Sequence, residues 1–188
     1  MPDFSAAISI WCDDHYATKP RRILIEPWGE DYWLFPGDEF EIKVIGKEGT
    51  PYFTVVEADE YTQVYIETIV TDLGNLADFE VFHNGEKVVC GYQRAKLLGS
   101  AYHAMTILGR GIVIASDHPW QNKFQTGDHL RLVIPQKTVM HAEILGIEHF
   151  YSGPDNPLAN PLGIFVGEIG ISAKEILPTT MIYRLTLD

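Results

Sequence analysis

At 188 residues, 46% hydrophobic and 21% charged, the chain has ordinary globular composition, which excludes wholesale disorder and leaves room for one core or two small domains. Its net charge of −12 is uneven: residues 1–97 hold 8 Lys/Arg against 18 Asp/Glu, and residues 98–188 hold 6 against 8. An acidic first half repels phosphate backbones, which argues against nucleic-acid binding there, and suits either solubility or a basic partner.

Residues 1–20 carry little pattern beyond an edge strand at 7–11, and they lack the basic start and apolar run of a signal peptide. Residues 23–26 (ILIE) read as a strand, followed by a turn at Pro27-Trp28-Gly29-Glu30. Residues 32–35 (YWLF) form the next strand, ended by Pro36-Gly37. Residues 40–45 (FEIKVI) alternate apolar and polar, the mark of a half-buried strand. A turn at 46–51 leads to paired strands at 52–57 and 61–67, then to a loop or helical turn at 69–76. Residues 79–83 and 87–90 flank Asn84-Gly85, the strongest hairpin signal in the chain, because Asn-Gly accepts the positive φ of a type I′ turn. Short strands at this spacing predict an antiparallel β-sandwich or small barrel over residues 1–97.

Leu98-Gly99-Ser100 reads as a junction to a second domain, 101–188. Its strands are expected at 104–108, 111–116, 130–134, 138–148, 163–168 and 181–187, with a brief helical turn at 174–177. Ordered landmarks run through it: Gly109-Arg110-Gly111 before an apolar strand, Gly127-Asp128 before Leu130-Arg131-Leu132-Val133, a segment ending Gly146-Ile147-Glu148-His149-Phe150, and a closing Met181-Ile182-Tyr183. In order and spacing this half resembles the second domain of translational GTPases of the elongation factor Tu type. The resemblance implies a closed β-barrel of six or seven strands, and in the factors that domain touches ribosomal RNA or the aminoacylated tRNA end. The matched residues are structural ones: Gly109 and Gly111 allow sharp bends, and Gly146 a bulge. The chain departs from the family in three places. It has no GxxxxGK[ST] loop for nucleotide, it carries Leu177-Pro178-Thr179-Thr180 where the relatives place Gly, and its 119–123 loop is long. Segments 26–32 and 36–42 resemble short bacterial β-sandwich proteins, a likeness that carries no activity.

No nucleophile elbow, zinc-protease helix or Ser/His/Asp context occurs. Cys12 and Cys90 form no CxxC and no Cys/His ligand pair, and residues 90–94 lack the His and Met that copper requires, so neither metal nor cofactor is expected. Trp11-Cys12-Asp13-Asp14-His15 gathers metal-binding types, yet neighbours on a strand point to opposite faces. His83, His129, His141 and His149 converge only if the fold brings them together, and otherwise read as satisfied or solvated. Glu26, Glu30 and Asp31, with Asp38, Glu39 and Glu41, offer paired acids for hydrolysis or, as the plainer alternative, a solvated acidic face. Trp28, Glu30, Asp31 and Tyr32 make a candidate binding patch of aromatic anchors in an acidic rim; alternatively Trp33 and Phe35 fill the core while Trp28 caps a turn. Trp120, in a loop between barrel strands, is a second candidate.

The expectation is a non-enzymatic bacterial protein-binding protein of the acidic immunity or inhibitor kind, cytoplasmic, with no membrane span and reduced thiols. The alternatives are a translation-associated module that uses its barrel on ribosome or tRNA, and an enzyme whose site carries no recognisable motif.

Overall fold

The computed structural model describes residues 6–13, 19–45, 51–67, 78–116, 119–137, 139–149 and 162–186. The readings at Asp14, His15, 46–50 and 69–76 lie outside the described residues. The chain divides into two compact units, one mainly Met1–Asp13 with Pro20–Arg94, the other mainly Ala95–Leu187. Among the described residues no helix is long and apolar enough to cross a membrane.

The first unit holds β1 (Ala6–Trp11), β2 (Arg21–Glu26), β3 (Glu30–Leu34), β4 (Glu39–Ile45), β5 (Tyr52–Glu57), β6 (Tyr61–Glu67), β7 (Asp78–His83) and β8 (Glu86–Val88). They make two four-stranded sheets, ordered β1-β4-β7-β8 and β3-β2-β6-β5. Every pairing is antiparallel except β2 with β6. A parallel pair cannot be closed by a tight turn, and here three strands intervene between its members. Each sheet buries one face. Ile23, Ile25, Leu34, Val64 and Ile66 come from one sheet, and Phe40, Ile42, Val44 and Val81 from the other. Each such side chain removed from water contributes about 1.5–3 kcal/mol.

The hairpin from β7 to β8 turns on Asn84 (φ 52°) and Gly85 (φ 80°), as the Asn-Gly pair requires. Its second strand stops at Val88 rather than at residue 90, because the chain curls back. Gly91 N–H donates to the Asp31 carbonyl at 2.7 Å, and Trp33 N–H donates to the Tyr92 carbonyl at 3.0 Å.

The second unit holds β9 (Ala95–Ser100), β10 (His103–Ile107), β11 (Gly111–Ala115), β12 (His129–Val133), β13 (Met140–Glu143), β14 (Gly146–His149), β15 (Leu162–Phe165) and β16 (Met181–Leu185). A short 3-10 turn spans Ala173–Glu175, where a helical turn was expected slightly later. Leu98-Gly99-Ser100 is strand rather than junction, since Leu98 is buried in this unit's core. The sheets are ordered β13-β12-β16-β9 and β10-β11-β15-β14. Neither closes on itself, so the sheets themselves are open where a closed cylinder was expected.

The expected long strand at 138–148 is broken at Ile144-Leu145. Ile144 is fully buried, and the chain changes sheet there: Ile144 N–H reaches the Asp128 carbonyl (2.9 Å) and Leu145 N–H the Phe165 carbonyl (2.8 Å). Ala101 and Tyr102 make the matching step from β9 to β10, donating to the carbonyls of Thr180 and Ala115, both at 2.8 Å. Keeping these amides bonded lets a strand turn a corner without a loop.

Gly111 sits where backbone meets backbone. It has φ +133°, and a Cβ there would come 2.2 Å from the Gly167 carbonyl carbon. Gly109, with φ +72°, faces open space. Gly109→Ala should therefore cost about 1 kcal/mol, from φ strain alone. Gly111→Ala should cost about 3 kcal/mol or more, because strain and overlap add. Thermal or urea unfolding of both variants checks this; equal losses would contradict the close approach.

Candidate functional site

The expected patch at Trp28, Glu30, Asp31 and Tyr32 is mostly committed to the fold. Trp28 is half-buried in the turn after β2, its ring 4.8 Å from that of Phe79. Tyr32 is 2% exposed, stands edge-on to Phe40, and donates its hydroxyl to Glu30 Oε2 at 2.6 Å. Burial and the nearby Glu30 carboxylate both push its phenol well above the ordinary range.

Asp31 is 7% exposed and is held by two guanidinium groups, Arg94 at 2.8 Å and Arg22 at 3.1 Å, with the Cys90 thiol at 3.7 Å. Burial alone would raise its carboxyl; the Arg94 and then the Arg22 contacts outweigh it and leave the pKa below 3.8. The group is a clamp. It ties β2, β3 and the segment after β8 together.

Trp120 also faces inward. Its indole N–H donates to the Leu162 carbonyl at 3.1 Å, its ring meets Phe124 edge-on, and it lies near Gly99, where an added Cβ would just touch the ring. Its loop covers part of the second unit's core.

Among the other candidates, Cys12 is buried and Cys90 exposed, and neither is in a disulfide. No group of three or more His, Cys, Asp or Glu side chains able to hold a metal occurs among the described residues. The histidines do not converge, but His83 meets a carboxylate. Its Nε2 lies 3.2 Å from Asp38 Oδ1, and its Nδ1 lies 3.0 Å from the Tyr92 hydroxyl. Asp38 also accepts from Gln93 (2.9 Å) and from the Phe35 amide (3.0 Å). Burial works to raise the Asp38 carboxyl, and these donors together hold it below the usual value. The order carboxylate–imidazole–hydroxyl invites a catalytic reading. Here the hydroxyl is a phenol packed beside Phe40, and the chain of contacts fastens β4, β7 and the 89–94 turn.

An accessible feature lies on the outer face of the β1-β4-β7-β8 sheet. Alternation in β4 sends Phe40, Ile42 and Val44 inward, so Glu39, Glu41 and Lys43 point outward. Register places Trp11 directly opposite Glu39, and Ser9 and Phe82 opposite Glu41. Trp11 is 72% exposed. Beside it, a cleft of about 340 Å³ is lined by Ser9, Glu39, Glu41, Phe82, Asn84 and Gly85. Lys43 Nζ sits 2.9 Å from Glu41 and 4.6 Å from the Phe82 ring centre. Glu39 has no ion-pair partner among the described residues. Three signals for this face were present in the sequence: the 40–45 alternation, the Asn-Gly turn and the 7–11 strand. What the sequence lacked was the pairing that lays them side by side.

Asp31→Asn should cost about 2 kcal/mol at about pH 7; both arginines keep solvent contact, so the loss falls below the 3–5 kcal/mol of a fully buried pair. Because the folded-state pKa is lowered, this stabilisation is complete above the unfolded value near 3.8 and is lost as pH falls through the lower folded value. Urea titrations of wild type and Asp31→Asn should therefore differ at neutral pH and converge in strong acid. A gap that stays constant with pH would show that the clamp is not ionic. No family model, curated protein or solved structure matches this chain.

Proposed function

We propose that this chain is a non-enzymatic protein-binding protein whose acidic first unit receives a basic partner, in the manner of an immunity or inhibitor protein facing a basic toxin. One observation carries the reading: the outer sheet face sets an exposed Trp11 beside a carboxylate-lined cleft. A large exposed aromatic with acids around it is the composition of an interface core and rim. The surplus of acids in residues 1–97 would steer a basic partner and speed encounter, an effect that salt screens.

A second reading has its own support. The chain passes directly from one sheet of the second unit to the other between β9 and β10 and again between β13 and β14, as a small barrel of the translational-GTPase second-domain type would need. On that reading the unit docks on the ribosome or on tRNA.

Affinity capture from bacterial lysate with the tagged full chain, at low and high salt, separates the two. The first reading expects a basic protein that is retained at low salt and lost at high salt. The second expects co-migration with ribosomal particles on a sucrose gradient. Capture of nothing salt-sensitive would defeat the first reading, and confinement to the top fractions would defeat the second.

A further inference from the structure

We infer that the outer face of β1-β4-β7 is a receptor for an arginine side chain of the partner, with the guanidinium at the edge of the cleft against Glu39 and Glu41 and stacked on the Trp11 indole. This rests on the protein-binding reading above and names the group recognised.

The face already holds one cation. Lys43, from the protein's own β4, places its ammonium against Glu41 and over the Phe82 ring. The carboxylate-plus-aromatic pairing that grips an ammonium or guanidinium is thus in use at this spot. One row along, the same chemistry stands open: Glu39 has no ion-pair partner among the described residues, and the aromatic opposite it is Trp11, the strongest cation–π donor type.

Size and shape narrow the occupant. A cleft of about 340 Å³ lies at the small end of ligand sites, which run from about 300 to 1,000 Å³, and so suits one long side chain rather than a large ligand. Arginine fits better than lysine. Its planar fork can use two carboxylates at once and lie flat on an indole, and its guanidinium is the more weakly hydrated group. The Asn84-Gly85 turn walls one side of the cleft and is set rigidly by its left-handed backbone, so the pocket is largely pre-formed. The local charge leaves a second copy of this acidic chain a poor occupant.

The test uses the full chain and two probes, an arginine-rich decapeptide and its lysine twin of equal charge, with affinity read by calorimetry and tryptophan emission at low salt. Wild type should bind the arginine peptide at least about threefold more tightly than the lysine peptide, as bidentate recognition implies. Glu39→Gln and Trp11→Leu should each weaken it by about tenfold. Glu60→Gln removes an exposed acid elsewhere in the same unit and should stay within about twofold. Circular dichroism of each variant should match wild type, since Trp11 and Glu39 are exposed. Three outcomes would overturn the assignment and leave the protein-binding reading standing: equal affinity for both peptides, unchanged binding in both face variants, or equal losses for Glu39→Gln and Glu60→Gln. If wild type binds neither peptide even at low salt, the acidic unit is no receptor for basic partners and both readings fall.

Discussion

A β-strand sends alternate side chains to opposite faces, and in β4 that alternation separates the inside of the first unit from its outside. Phe40, Ile42 and Val44 are wholly buried, while Glu39, Glu41 and Lys43 share the opposite face. A slip of one residue would drive two carboxylates and an ammonium into an apolar core, at a cost far beyond what a domain's net stability of about 5–15 kcal/mol tolerates. Register is therefore fixed by the core, and the core in turn fixes which charges meet solvent. The outward face that carries Trp11 and Glu39 is a by-product of the packing. Its neighbours on β1 and β7 arrive through the same ladder, with Trp11 opposite Glu39 and Phe82 opposite Glu41.

Four acids of the first unit divide by how deeply the fold engages them rather than by sequence neighbourhood. Asp31 and Asp38 lie inside networks of donors, two arginines for the one and a histidine, a glutamine and a backbone amide for the other. Both stay ionised below the usual carboxylate range because those donors overcome burial. They hold the segment after β8 against β3 and β4. Glu39 and Glu41 sit within a few residues of Asp38 in sequence, yet they remain at the surface. Removing a clamp acid would loosen the unit, whereas removing a surface acid would alter what the unit attracts.

Much of this was legible in the sequence, and the gaps have physical causes. The Asn84-Gly85 hairpin was readable because few residue pairs accept its φ values. The strand at 40–45 followed from period-two patterning, since the pattern is itself the trace of burial, whereas Ala95–Ser100, read as a domain junction at its end, is strand. The parallel pairing of β2 with β6 was not readable, because periodicity records which face is buried and not which strand lies alongside. Nor was the corner at Ile144-Leu145: an unbroken apolar run looks the same whether the strand stays in one sheet or passes to another. The candidate residues show the same limit. Trp28, Glu30, Asp31 and Tyr32 are adjacent in sequence and look like a patch, but tertiary partners draw Asp31 and Tyr32 inward. Trp11 looked like an edge residue of a weak strand, and its neighbours on the face come from strands far along the chain.

The close approach of Gly111 and Gly167 has a further consequence. Each position has a backbone conformation that side chains resist, and a Cβ at Gly111 would overlap the backbone of Gly167. Drift at Gly111 cannot be rescued by repacking, since a Cβ there would meet backbone; at Gly167 it would meet only the end of the Leu145 side chain, which can move. Proteins that share this unit by descent would have to keep hydrogen at position 111 while the apolar strands around it exchange one aliphatic for another. An invariant glycine amid changeable valines and isoleucines would then be the most durable written trace of the architecture.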